Sequence, residues 1–226
     1  APAPFADVVY ASSTGRARDT LTVPSYAKVD AVIRPLRTVP RLRYTARGSV
    51  AGWDVFAPGI VAGGDDTAVM FINLGFVRDQ QRRAFMRAAE AAVAADGELW
   101  PDSVRVTGLV RTAGAQPSVF TPASEQVMNR YYWPDIAGMV AAVAPDLPAG
   151  SSVIDGHYID ALTAAKPPLY APLSANLAPQ PGSTRTKLSN RHLEYAVTWF
   201  GLAATLIGVF GAYAWSALRK RPLDQA

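Results

Sequence analysis

YAVTWFGLAATLIGVFGAYAWSAL, residues Tyr195–Leu218, runs for 24 residues without a charged side chain. At about 1.5 Å per residue it predicts a helix of roughly 36 Å. A hydrocarbon core is about 30 Å thick, so the segment spans it with some tilt. Tyr195 and Trp199 lie near one end, and Tyr213 and Trp215 near the other, where interfacial aromatic belts fall. Arg219, Lys220 and Arg221 follow at once, and the positive-inside rule keeps them in the cytoplasm. Residues 1–190 are then expected outside, in a periplasm or its organellar equivalent. Moving a domain of that size across a membrane needs a signal or a first transmembrane helix. The opening APAPFADVVY supplies neither, so such an N-terminal element is expected upstream.

The rest of the chain has globular composition. Half of its 226 residues are apolar and 18% are charged, which argues against bulk disorder. The net charge of +4 comes with scattered arginines and no basic stripe, so no nucleic-acid partner is expected. The lack of cysteine removes disulfides, thiolate metal sites and cysteine nucleophiles together. Two histidines, His157 and His192, are too few for a closed zinc site.

Residues 1–39 read as an extended lead-in, with several Pro and Gly and weak periodicity. From 41 to 57 the run predicts two strands around a turn near Gly48 to Gly52. AVMFINLGFV (68–77) reads as a buried strand, and Asp79 as the cap of a helix over 80–95 whose packing stripe is Phe85, Ala88, Ala92 and Ala95. Strands are predicted at 103–111 and 152–160, a short helix from Asp135 to about Val143, and extended, proline-bearing chain over 166–183. The expected fold is α+β: a mostly antiparallel sheet domain with one or two helices (40–190), a transmembrane helix (191–218) and a cytoplasmic tail (219–226).

No enzyme signature is present: there is no nucleophile elbow, phosphate loop or dinucleotide fingerprint, and the chain reads as a non-enzyme. Asp65–Asp66 and Asp155/Asp160 are carboxylate pairs of the sort that surface loops supply. His157 reads as structural or solvated. His192 lies three residues before the uncharged run, at the membrane surface, where an imidazole can meet an amphiphile such as haem. Arg191 can then pair with a propionate. The plainer alternative is a histidine that hydrogen-bonds lipid headgroups or helix-end amides.

Four stretches resemble the surfeit-locus-one family (Shy-type proteins), membrane factors for haem-copper terminal oxidase assembly. They are Gly52–Pro58 (GWDVFAP), Phe71–Val77 (FINLGFV), Asn129–Ile136 (NRYYWPDI) and Asn190–Phe200 (NRHLEYAVTWF), and the likeness covers roughly 40–218. Leu74, Phe76, Arg78 and Pro134 depart from the family's usual Arg, Trp, Pro and Arg, and Arg191 and Glu194 stand where Asn and Gln are common. The resemblance implies maturation of the oxidase catalytic subunit alongside other oxidase subunits or assembly factors, a second, N-terminal transmembrane helix, and haem a as the cofactor, with His192 as the iron-associated residue. It suits a bacterial inner membrane better than a mitochondrial one, and a quinol oxidase as well as a cytochrome c oxidase. The alternative is a scaffold or accessory subunit without haem, in which Tyr131, Tyr132, Trp133 and Trp199 contact the partner.

Overall fold

Two apolar runs, Val50–Val61 (β4) and Ala68–Arg78 (β5), form the longest strand pair, antiparallel from Gly52 opposite Arg78 to Val61 opposite Ala68. Both are buried almost continuously, because one face lines the interior and the other is covered. The computed structural model describes residues 3–4, 26–61, 68–95, 100–114, 118–170, 173–174, 176–182 and 192–219. The chain forms two compact units, Ala1–Thr184 and Arg185–Ala226.

The first unit is a closed, mixed barrel. The remaining strands are Ala3–Pro4 (β1), Lys28–Pro35 (β2), Arg41–Arg47 (β3), Val104–Thr112 (β6) and Ser152–Ala161 (β7). Their order is β1-β2-β6-β7-β5-β4-β3, and a further β2–β4 pairing closes the ring β2-β6-β7-β5-β4. Most pairs are antiparallel, as expected. The exceptions are β5 with β7 and β1 with β2.

Closure depends on Pro58–Gly59. β4 pairs with β3 only as far as Phe56 and with β2 only from Gly59 onward. Pro58 lacks an N–H and falls in the gap between these two ladders, where no donor is missed. Sequence reasoning ended this strand at 57. The chain instead continues to Val61 by exchanging one partner for another. A second correction concerns β2. Lys28–Pro35 lies inside the stretch read as a lead-in, yet it alternates buried and exposed residues and pairs with both β6 and β4. Its short apolar alternation (Val29, Ala31, Ile33) was hidden between charged neighbours.

The interior cluster draws Ile33, Val55, Ile72, Val106 and Ile159 from the five barrel strands. Phe85 and Ala89 of helix α1 (Arg82–Ala94) join it, with Met86, Ala92 and Val93 at its margin. The packing stripe is therefore turned slightly from the one expected. Asp79 begins a 3-10 turn (Asp79–Gln81) and does not cap the helix through its side chain. Its Oδ1 instead accepts from the Trp53 indole at 2.6 Å, which meets the need of a part-buried donor. Helix α2 (Ile136–Val143) is capped by Asp135, whose Oδ1 accepts from the Gly138 amide at 2.9 Å. Its Ile136, Met139 and Val143 cover Phe56, Phe71, Tyr131 and Tyr158 in a second cluster.

The second unit carries helix α3, His192–Arg219. Tyr195–Arg219 is long and apolar enough to cross a membrane, with mean hydropathy 1.6.

Candidate functional site

Polar side chains gather on β3, β4, β5 and β7 beside the second cluster. Arg43 stands opposite Asp54 across the β3–β4 ladder and forms an ion pair with it. Arg47 Nη2 lies 3.5 Å from the other Asp54 oxygen, and Arg47 Nη1 donates to the Gln180 carbonyl at 3.2 Å. Asp54 is almost wholly buried, and its Oδ1 makes no hydrogen bond. Asn73 Nδ2 donates to Asp160 Oδ1 at 2.9 Å, while Asn73 Oδ1 accepts from the Gly75 amide at 3.1 Å. With Thr45, Ala46, Arg111 and Tyr158, the groups Arg43, Arg47, Asp54 and Asp160 line a cleft of about 170 Å³. Three guanidinia against two carboxylates leave it one positive charge in excess, suited to a polar or anionic group. Burial raises the Tyr158 phenol above its ordinary pKa, which favours its neutral form there.

This cluster was not foreseen. Asp160 is buried and hydrogen-bonded on β7 rather than lying in a surface loop, while Asp155 is exposed; Asp65 and Asp66 lie outside the described residues. No sequence spacing links Arg43, Asp54, Arg111 and Asp160, which four different strands contribute. The one available signal was charge inside an apolar strand, at Asp54 in GWDVFAP.

Of the residues read as sites, Tyr131 is fully buried in the second cluster and presents no surface to a partner. Its amide donates to Leu42 O at 3.0 Å and its carbonyl accepts from Tyr44 N at 2.7 Å, which extends the sheet beyond β3. Burial raises its pKa, and its hydroxyl has no hydrogen-bond partner. Tyr132 is half-buried and donates to Glu125 Oε1 at 3.0 Å, and that bond leads the rise in its pKa. Its ring meets Tyr44 edge-on at 6.5 Å, and Tyr44 meets Trp53 at 5.2 Å. Trp133 is half-buried, and Trp199 on α3 is 69% exposed. His192 begins α3, but its side chain and the whole of Arg191 lie outside the described residues. His157 is half-buried on β7, and burial lowers its pKa.

Residues 12–204 match the model of the SURF1 family. The chain belongs to that family. It is 29% identical to a "SURF1-like protein" of Monosiga brevicollis over 187 residues, 82% of this chain and 59% of that protein. To a "SURF1-like protein" of Drosophila melanogaster it is 32% identical over 161 residues, 71% of this chain and 44% of that protein. The chain thus spans about half the length of these relatives.

The structure gives the SURF1-like stretches physical roles. Three of the four come together: Gly52–Pro58 pairs with Phe71–Val77, and Asn129–Ile136 lies against β3. Asn129 Oδ1 accepts from the Leu42 amide at 3.2 Å and its Nδ2 donates to Pro40 O at 2.8 Å, so this side chain pins the start of β3. In β5 a bulge leaves Leu74 without a partner, and Gly75 follows at φ 131°. A Cβ on Gly75 would collide with the Gln180 carbonyl, and that carbonyl accepts from Phe76 N at 2.8 Å. Asn73–Leu74–Gly75 thus docks the 176–182 segment on the barrel. Leu74 lines an apolar cleft of about 370 Å³ with Leu169, Leu173 and Pro179. Of the fourth stretch, His192–Phe200 opens α3, in the other unit.

Proposed function

We propose that this chain is a membrane-anchored assembly factor for a haem-copper terminal oxidase, holding haem a at the bilayer surface for insertion into the catalytic subunit. Membership of the SURF1 family carries the reading, and the Asn190–Phe200 stretch at the head of an apolar helix directs it to haem. The donor set suits that group: His192 offers an imidazole to iron, and Arg191 a guanidinium to a propionate. When bound, the haem supplies only its own iron chemistry, destined for the oxidase. The chain's residues bind and orient it and keep it from aggregating, without catalysis. Arg219, Lys220 and Arg221 favour a cytoplasmic C-terminus, with the barrel on the periplasmic side of a bacterial inner membrane.

The test is a visible spectrum of the detergent-purified protein co-expressed with the haem a synthesis enzymes, beside His192→Ala. A Soret band and α-band that vanish in the variant are expected. Equal bands in both would remove His192 as the ligand. No band in either folded protein would leave the accessory-subunit reading, checked by co-purification of oxidase subunits.

A further inference from the structure

Asp54 is one carboxylate shared by two arginines. Its Oδ2 pairs with Arg43 and its Oδ1 lies 3.5 Å from Arg47 Nη2, so the trio carries a net positive charge. Arg111 and Asp160, which line the same cleft, balance each other in charge. The excess therefore stays with the trio. Asp54 is almost wholly buried, whereas the Arg43 and Arg47 side chains are 21% and 24% exposed, so the cations form its accessible part. A positive charge in a half-enclosed cleft attracts an anion more strongly than the same charge does in bulk water.

The three guanidinia are held in place. Arg43 lies over the Phe56 ring at 5.9 Å, Arg47 over Phe76 at 4.6 Å and Arg111 over Tyr26 at 4.6 Å. Arg47 Nη1 also donates to Gln180 O at 3.2 Å. Guanidinia stacked in this way keep their donor forks in one geometry and lose little freedom on meeting an anion. Two donors beside them lack an acceptor. Arg43 Nε is buried without a hydrogen bond. Tyr158 is only 4% exposed, and its hydroxyl makes no hydrogen bond among the described residues. Beyond burial, the charges acting on this phenol are those of Arg43, Arg111, Asp160 and Asp54, all of which line the cleft with it. A buried hydroxyl normally has a partner.

We propose that this cleft is a carboxylate-binding site, in which Arg43, Arg47 and the Tyr158 hydroxyl receive the carboxylate of a small organic acid. One carboxylate cancels the single excess charge, and its planar pair of oxygens matches the guanidinium fork. A cleft of about 170 Å³ admits that group on a short stem. Asp54 is a positioning residue, which holds both guanidinia and leaves the ligand to them. The inference concerns the first unit alone and is independent of haem binding at α3.

The test is a titration of the full chain in detergent, labelled with heavy nitrogen, with sodium acetate replacing sodium chloride at constant ionic strength. Arginine Nε–H resonances are followed by NMR. Saturable shifts are expected for Arg43 and Arg47, with Arg130, which pairs with Glu125 away from the cleft, unmoved. Tyr158→Phe removes only a hydroxyl that the fold leaves unbonded, so it should keep the barrel's Tm while weakening acetate about tenfold. Shifts that never saturate, or that Arg130 shares, would mean general screening and would overturn the site. Equal acetate affinity in Tyr158→Phe would remove the hydroxyl from the site and overturn the arrangement. Inorganic phosphate, titrated in the same way, should bind no more tightly than acetate. Tighter phosphate binding that Tyr158→Phe weakens would overturn the carboxylate assignment in favour of a phosphate ligand. Should the variant unfold, the wild-type titrations decide between these outcomes.

Discussion

The barrel and the C-terminal helix both carry stretches typical of the family, but the two regions use them differently. In the barrel, Asn129 ties Pro40 and Leu42, Asn73 and Gly75 seat the 176–182 segment, and Trp53 donates to Asp79. These side chains are spent on one another. Along α3, Trp199, Phe200, Leu206 and Phe210 are exposed, so their apolar surface needs lipid or another protein. A recognisable motif inside a β-domain can thus be a construction device, whereas one on an exposed membrane-length helix points to what lies outside the chain.

Variants can break that contrast. Phe56→Ala empties a site packed edge-on against Tyr158 at 5.3 Å and should cost about 3–5 kcal/mol, read as a fall in the barrel's Tm. A loss below 1 kcal/mol would mean that α2 does not hold a true second core. Asn129→Ala removes two side-chain hydrogen bonds to backbone and should cost about 1–3 kcal/mol in chemical denaturation. If it left stability intact but abolished oxidase assembly, the motif would be a contact after all.

Alkali sharpens the same point. Tyr170 is wholly buried against Phe85 and Trp100, and burial lifts its phenol above the ordinary 10.0. Because the folded state favours the neutral form, this stabilisation is complete below pH 10 and is lost as pH rises through the folded value. Tyr170→Phe should flatten the decline in stability above pH 10, and an unchanged alkaline slope would count against it. The smallest effect belongs to Trp199→Ala. It should leave barrel stability within about 0.5 kcal/mol while altering partner or haem retention. A melted barrel would erase the distinction between the two regions.

Much of the chain was legible before any coordinates. The β3–β4 hairpin, β5, β6, β7 and α2 follow from alternation, turn residues and the Asp135 cap, all of which are local signals. What escaped was non-local. Lys28–Pro35 looks unremarkable until β4 and β6 flank it, and the Asp79 carboxylate could not be taken from the helix cap until Trp53 stood within reach. Tyr131, a partner contact only in the accessory-subunit alternative, is packed among Phe56, Phe71 and the residues of α2, while its backbone pairs with the edge of β3.

The sequence alone determined that the chain holds a membrane-length apolar helix and an α+β domain, because hydropathy and periodicity are written into consecutive residues. Only the tertiary structure decided that the sheet closes, with β4 passing from β3 to β2 across Pro58, and that Arg43, Arg47, Arg111, Asp54 and Asp160 line one cleft. Barrel closure depends on pairing between strands distant in sequence, and charges on four such strands become neighbours only once that pairing exists.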